Sequence, residues 1–220
     1  MRWIFLIFLN LLAFCSVNAQ PSFKGGTRSL NQFISANLIY PEYAKQNCIQ
    51  GTIEISFKLN NKGEVFDSEV QNGMGIDLDD EALRIIRLTS GKWNVPPDHD
   101  TSIALVIPIS FSLREYNCEQ KSKEEVTAAI AAYKARQALV NAVVNFYDKK
   151  NTGDYKPEDE RKIEALKVQL GLDEKFIDRT IREGQQKLKQ GDREGACDDF
   201  NFIRKIGSSK ADKLIETNCR

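Results

Sequence analysis

Few side chains here could do chemistry. His99 is the only histidine among 220 residues. It stands in "PPDHDTS", an exposed-loop pattern with no partner that would make it a base or a ligand. The cysteines never occur as C-x-x-C, so no zinc spacing is present. Asp77, Asp79, Asp80 and Glu81 form an acidic run, but carboxylates are expected wherever a helix begins, because they face the positive end of its dipole. "YDKKNTGDYKPEDE" has the look of a calcium loop, yet Lys150 falls where an oxygen ligand is needed, so it reads as a solvated linker. No nucleophile–base pair and no phosphate loop is found. The formal net charge is zero with no basic block, which gives no footprint for nucleic acid. The expectation is a protein that is not an enzyme and needs no cofactor and no metal. Its backbone is what remains to act.

The first 19 residues, "MRWIFLIFLNLLAFCSVNA", carry Arg2, an apolar run and small residues at Val17 and Ala19. This is the pattern of a signal peptide cut after Ala19. The competing reading is an uncleaved inner-membrane anchor, but the run is shorter than the roughly 20 apolar residues a span needs, and it contains Asn10. Phe14 is too bulky to precede a lipidated cysteine at Cys15. The mature protein is expected to be soluble and exported, so disulfides can form.

The elements that follow change character at "REYNCEQKSK", which places a boundary between residues 20–117 and 118–220. In the first part, "SLNQFISANLIY" predicts a helix capped by Ser29, with Leu30, Phe33, Ile34 and Leu38 on one face and Tyr40-Pro41 as its stop. "GTIEISFKL" alternates cleanly and predicts a strand with Ile53, Ile55, Phe57 and Leu59 inward. Gly63 in "NNKG" supplies a positive φ for the turn, and "EVFDSEV" returns as a second strand. "GIDLDDEALRIIRL" is a helix capped by Asp77 or Asp79 that buries Leu78, Ala82, Ile85 and Ile86. The last strand is "SIALVIPISFSL", with Ile103, Leu105, Ile107, Ile109, Phe111 and Leu113 all on one side. The fold class is α+β: a three-stranded antiparallel sheet with two helices on one face.

Within that sheet the first strand suits the centre and the second pairs with it through the hairpin. The last strand is left at an edge. Pro108 agrees, since a proline has no amide hydrogen and is tolerated in a sheet where its nitrogen faces outward.

These residues resemble the C-terminal domain of the TonB family of periplasmic energy transducers, from about Phe23 to Leu113. "FKGG…L..FI..NLIYPEYA" carries Gly25, Gly26, Leu30, Phe33, Asn37, Tyr40, Pro41 and Ala44 at matching places. "IQGTIEISFKLNNKGEV" is similar to the family's hairpin, with Gly51 and Gly63 aligned. "LDDEALRII" with Lys92-Trp93 is similar to its second helix and tryptophan, and "VIPISFSL" to its final strand. Lys24 departs from a proline common there. The resemblance implies that a short extended peptide of a TonB-dependent outer-membrane receptor lies along Ile103–Leu113, adding a strand to the sheet. Pro108 would also limit unwanted pairing at that edge. Two departures are expected: a cleavable leader where the family keeps a membrane helix, and no long proline-rich spacer. Gln20–Phe23 could not reach across a periplasm, since an extended residue covers only about 3.3–3.6 Å. The expectation is therefore an accessory TonB-like module that keeps the peptide-binding part of the family's work.

The second part is helical. "KEEVTAAIAAYKARQALVNAVVNFYDKK" predicts one long helix with Val126, Ile130, Tyr133, Leu139, Val143 and Phe146 on its stripe. Shorter helices follow: one opened by Pro157 and carrying Ile163, Leu166 and Leu170, and one with Phe176, Ile177, Ile181 and Leu188 on a face. "REGACDDFNFIRKIG" and "SSKADKLIETNC" complete the set. From about Thr180 to Cys219 the text is similar to a tetratricopeptide-type helical hairpin, with Gly184, Ala196 and Phe200 at its small, small and aromatic positions. It covers barely one repeat, so a self-capping helical bundle is an equal reading.

After cleavage Cys48, Cys118, Cys197 and Cys219 remain, and three pairings are open. Cys48 precedes the first strand and Cys118 follows the last; if those strands are antiparallel neighbours, a Cys48–Cys118 bond is expected, leaving Cys197 and Cys219 to join the last two helices. A second functional reading is a periplasmic scaffold or assembly protein whose helical half binds a protein partner, with strand exchange through the same edge giving a homodimer.

Overall fold

The computed structural model describes residues 20–114 and 116–219. The expected signal peptide, residues 1–19, lies outside them. The chain runs β1 (Ser22–Phe23), α1 (Gly26–Asn37), α2 (Glu42–Gln46), β2 (Gly51–Leu59), β3 (Val65–Asn72), α3 (Asp77–Arg87), β4 (Trp93–Asn94) and β5 (Leu105–Phe111). A single 3-10 turn at Cys118–Gln120 leads into α4 (Lys123–Thr152), α5 (Glu160–Leu170), α6 (Glu174–Gln190), α7 (Arg193–Lys205) and α8 (Asp212–Asn218).

The main sheet has the order β3-β2-β5, antiparallel throughout. The inward residues of β2 (Ile53, Ile55, Phe57 and Leu59) are completely buried, as the strict alternation requires. They meet Leu78, Ala82, Ile85 and Ile86 of α3, and each such side chain contributes about 1.5–3 kcal/mol by leaving water. Trp93 closes the core at one end: it packs on Phe23 and Phe57, and its indole N–H donates to Thr89 Oγ1 at 2.9 Å. Its strand β4 pairs with β1, a two-residue ladder that no periodicity could announce. Gly63 is confined twice over. Its φ is +75°, and a Cβ there would lie 2.5 Å from the Trp93 carbonyl oxygen.

Several local expectations are corrected. Helix α1 starts three residues before Ser29, because Gly25 and Gly26 take positive φ values and let the chain turn in early; the Ser29 hydroxyl instead donates to the Gly25 carbonyl at 3.0 Å. Helix α1 ends at Asn37, before the expected stop at Tyr40-Pro41, because Leu38 already takes an extended backbone, and the short helix α2 follows at Glu42. Neither Asp77 nor Asp79 caps α3. Ile76 holds that position, and the Asp79 carboxylate reaches back to the Met74 and Gly75 amides at 2.9 and 2.7 Å.

Helix α4 is opened by a capping box in which Ser122 and Glu125 satisfy each other's amides. Val126, Ala129, Ile130 and Tyr133 pack on the sheet core, whereas Val140, Val143 and Tyr147 are buried in a second core with Phe200, Ile203 and Ile206. Leu139, expected on the stripe, is 47% exposed; the helix turns its buried face from one core to the other just there, so Val140 takes the inward place. Both cysteine pairs are bonded, Cys48–Cys118 and Cys197–Cys219, closing loops of 70 and 22 residues. Loop entropy alone gives about 4 and about 3 kcal/mol for closures of these lengths.

Candidate functional site

Among the described residues, strand β5 has a partner on one side only. Its register on β2 runs from Gly51↔Phe111 through Glu54↔Pro108 to Phe57↔Leu105. Ile109 and Phe111 are buried against the core, Leu105 and Ile107 half-buried, while Val106, Pro108 and Ser110 face outward from the sheet. Of the seven residues expected to form this site, two fall outside the strand. Ile103 is in a turn, its amide bonded to the Asp100 carbonyl at 3.1 Å, and is 55% exposed, because Asp100 folds "DHDTS" back through contacts to Ser102. Leu113 lies past the strand end but stays buried, and its amide donates to Gln50 Oε1 at 2.7 Å. Gln50 was not foreseen, and a polar residue between Ile49 and Gly51 gives no signal of that role.

The phase of the pleat follows from two observations. Thr52 and Ser110, a facing pair, bring their hydroxyl oxygens to 3.1 Å, as suits a pair without mutual backbone bonds, where side chains stand closer. Pro108 is two residues from Ser110 and so shares that phase. In it, Val106 and Ser110 turn N–H and C=O away from β2, and Pro108 turns a C=O alone.

The residues around the strand hold it in place. Tyr40 stacks edge-on against Phe111 and donates its hydroxyl to the Ile49 carbonyl at 2.7 Å. Burial, then the nearby Asp77 charge, pushes its phenol up to about 12, so it remains a donor at all ordinary pH. Gly51, at the start of β2, has the Met74 sulfur 3.0 Å from where a Cβ would be. The Cys48–Cys118 bond ties the start of β2 to the segment leaving β5.

The acidic run is dispersed by the fold. Glu81 is buried and forked onto Arg84, and it also accepts from the Ile39 amide at 2.6 Å. Asp77 and Asp80 line an open cleft of about 1200 Å³ between α3 and the α6–α7 pair, with Arg84, Lys187 and Asp199. Burial raises the Asp77 carboxyl above its usual range. Among the described residues no group of three or more His, Cys, Asp and Glu is arranged to hold a metal ion, and no helix is long and apolar enough to cross a membrane. His99 sits in its loop with its amide bonded to the Pro96 carbonyl.

The geometry defines a small helix-backed sheet domain with one bare edge, joined to a helical bundle. Residues 36–113 match the family described as Gram-negative bacterial TonB protein C-terminal; the match stops before the helical half. A solution NMR structure of the Helicobacter pylori TonB C-terminal domain is 29% identical, covering 40% of this chain and 95% of that one, with a TM-score of 0.34. No curated protein matches.

Proposed function

We propose that this chain is a non-catalytic, periplasmic protein of TonB-dependent transport that takes an extended peptide of an outer-membrane receptor as a fourth strand beside β5. The observation that carries the reading is the position of β5 at the end of the sheet, with one row of backbone groups facing away from β2. Strand addition draws affinity from main-chain hydrogen bonds and selectivity from alternate side chains. Val106 and Ser110 would each offer a donor and an acceptor; Pro108 would offer an acceptor alone, which sets the register of the visitor. Val106 and Ile103, 48% and 55% exposed, would meet its side chains, with Leu105 and Ile107 bordering it. We assign this work to residues 20–117 and treat 118–220 as a helical, tetratricopeptide-like domain whose first helix also packs on the sheet core.

The test is a titration of the disulfide-bonded chain, residues 20–220, with receptor-derived peptides, followed by amide shifts. Shifts are expected at Leu105–Phe111 and in β2. Val106→Pro, which removes one outward N–H and fits an edge, should weaken binding about fivefold to tenfold. Shifts confined to residues beyond Lys123 would move the binding role to the helical half. Concentration-dependent dimer formation blocked by Val106→Pro would instead make β5 a self-pairing edge.

A further inference from the structure

A three-stranded sheet has two edges, and in this protein they are treated differently. Strand β3 is the other edge. Its backbone is bulged: Asp67 and Ser68 together face the single residue Phe57, and Asp67 takes a φ of +52°. Two of its amides are bonded to side chains that are not part of any strand. Val65 N–H donates to Ser90 Oγ at 3.0 Å, and Ser68 N–H donates to Glu194 Oε2 at 3.3 Å. Ser68 also gives its hydroxyl to the same carboxylate oxygen.

Glu194 belongs to the first turn of α7, in the helical half. It is held in place by Arg87 of α3, whose Nε lies 3.2 Å from Glu194 Oε2 and 2.8 Å from Ser68 Oγ, and whose terminal nitrogen pairs with Asp198 at 3.0 Å. Arg87 is only 11% exposed, so this charged pair is shielded more than an ordinary surface bridge. On β5 no such side chain meets the amides of Val106 or Ser110 among the described residues. The Ser110 hydroxyl is turned instead to Thr52, within the sheet.

We propose that the helical half serves as a guard for β3: Glu194, aimed by Arg87, occupies the Ser68 amide so that the sheet accepts a single added strand, at β5 alone. An unpaired strand edge invites pairing with any extended chain, and blocking its donors is one way proteins prevent it. The stoichiometry follows: one visiting strand per chain, and no chain-to-chain ladder growing through both edges at once. The guard rests on the proposed use of β5 only for the identity of the visitor; the blocking of β3 stands apart from it.

The experiment is amide hydrogen exchange together with sedimentation on the disulfide-bonded chain, residues 20–220. Glu194→Ala should speed exchange at Ser68 about tenfold, leave Ile55 unchanged, and produce concentration-dependent self-association. Glu194→Gln keeps an acceptor oxygen and should restore slow exchange. Arg87→Gln loosens the same carboxylate without substituting a residue of α7, and should act in the direction of Glu194→Ala even if that variant disturbs the bundle. Unchanged Ser68 exchange in both loosening variants would overturn the guard. So would faster exchange with no strand, from peptide or second copy, adding at β3. If no receptor peptide binds the unaltered chain, the proposed function fails, while Ser68 exchange and self-association still decide the guard.

Discussion

Tyr43 donates its phenolic hydrogen to the backbone carbonyl of Ala129 at 2.7 Å, and its ring leans on Tyr133 with centroids 5.1 Å apart. One residue of the short helix α2 thereby fastens the sheet domain to α4. An α-helical carbonyl that accepts a second bond costs the helix little, since it has two lone pairs. Tyr43→Phe keeps the ring contact and removes the bond, so a loss of about 1 kcal/mol in unfolding free energy is expected. Urea denaturation checks it. A loss near zero would show that water replaces the hydroxyl.

Gly184 in α6 faces Phe200 in α7. A Cβ on Gly184 would stand 2.5 Å from Cε1 of that ring, and Phe200 is completely buried. Gly184→Ala therefore has to displace a packed aromatic side chain, and a destabilisation of about 1–3 kcal/mol is expected despite alanine's better helix propensity. Combining it with Phe200→Leu, which vacates that space, should recover part of the loss. Thermal or urea unfolding of the four-member cycle measures the coupling.

Asp192 caps α7 through the Gly195 amide at 2.8 Å and is 1% exposed. Burial raises its carboxyl above the usual 3.8, against the pull of the Gly195 amide, Arg87 and Lys187. A raised acid holds its proton more tightly in the folded chain than in the unfolded one. Its contribution to stability is therefore complete below pH 3.8 and is lost as the pH rises through the raised value. Asp192→Asn keeps a good capping side chain and cannot ionise. The unaltered protein should lose stability relative to the variant as pH rises from 3.8 toward neutrality; a pH-independent difference would contradict this reading.

Much of the sheet domain was legible because its signals are local and strong. The alternation of Ile53 to Leu59 fixed a central strand, Gly63 fixed its turn, and the proline at 108 placed the last strand at a margin. The cysteine pairing followed once that order was known. What escaped depended on partners that the local pattern does not announce. Ile103 continues the apolar alternation in sequence, yet Asp100 captures Ser102 and bends the chain away before the strand begins. Asp79 has the composition of a cap, but its carboxylate is taken up by the amides of Met74 and Gly75. Leu139 follows the spacing of one helical face, and nothing in that spacing tells that the helix serves two cores on different sides. The contact between Ser68 and Glu194 spans 126 positions and joins two residues of no unusual type.

With 30 residues, α4 is about 45 Å long and contains neither glycine nor proline. Its first turns pack, partly buried, against one hydrophobic nucleus, and its later turns are buried in the other. Bending one half against the other would mean fracturing a continuous ladder of peptide hydrogen bonds, so α4 works as a shared axle and not as a tether. Heat should therefore melt the two nuclei together, in one transition.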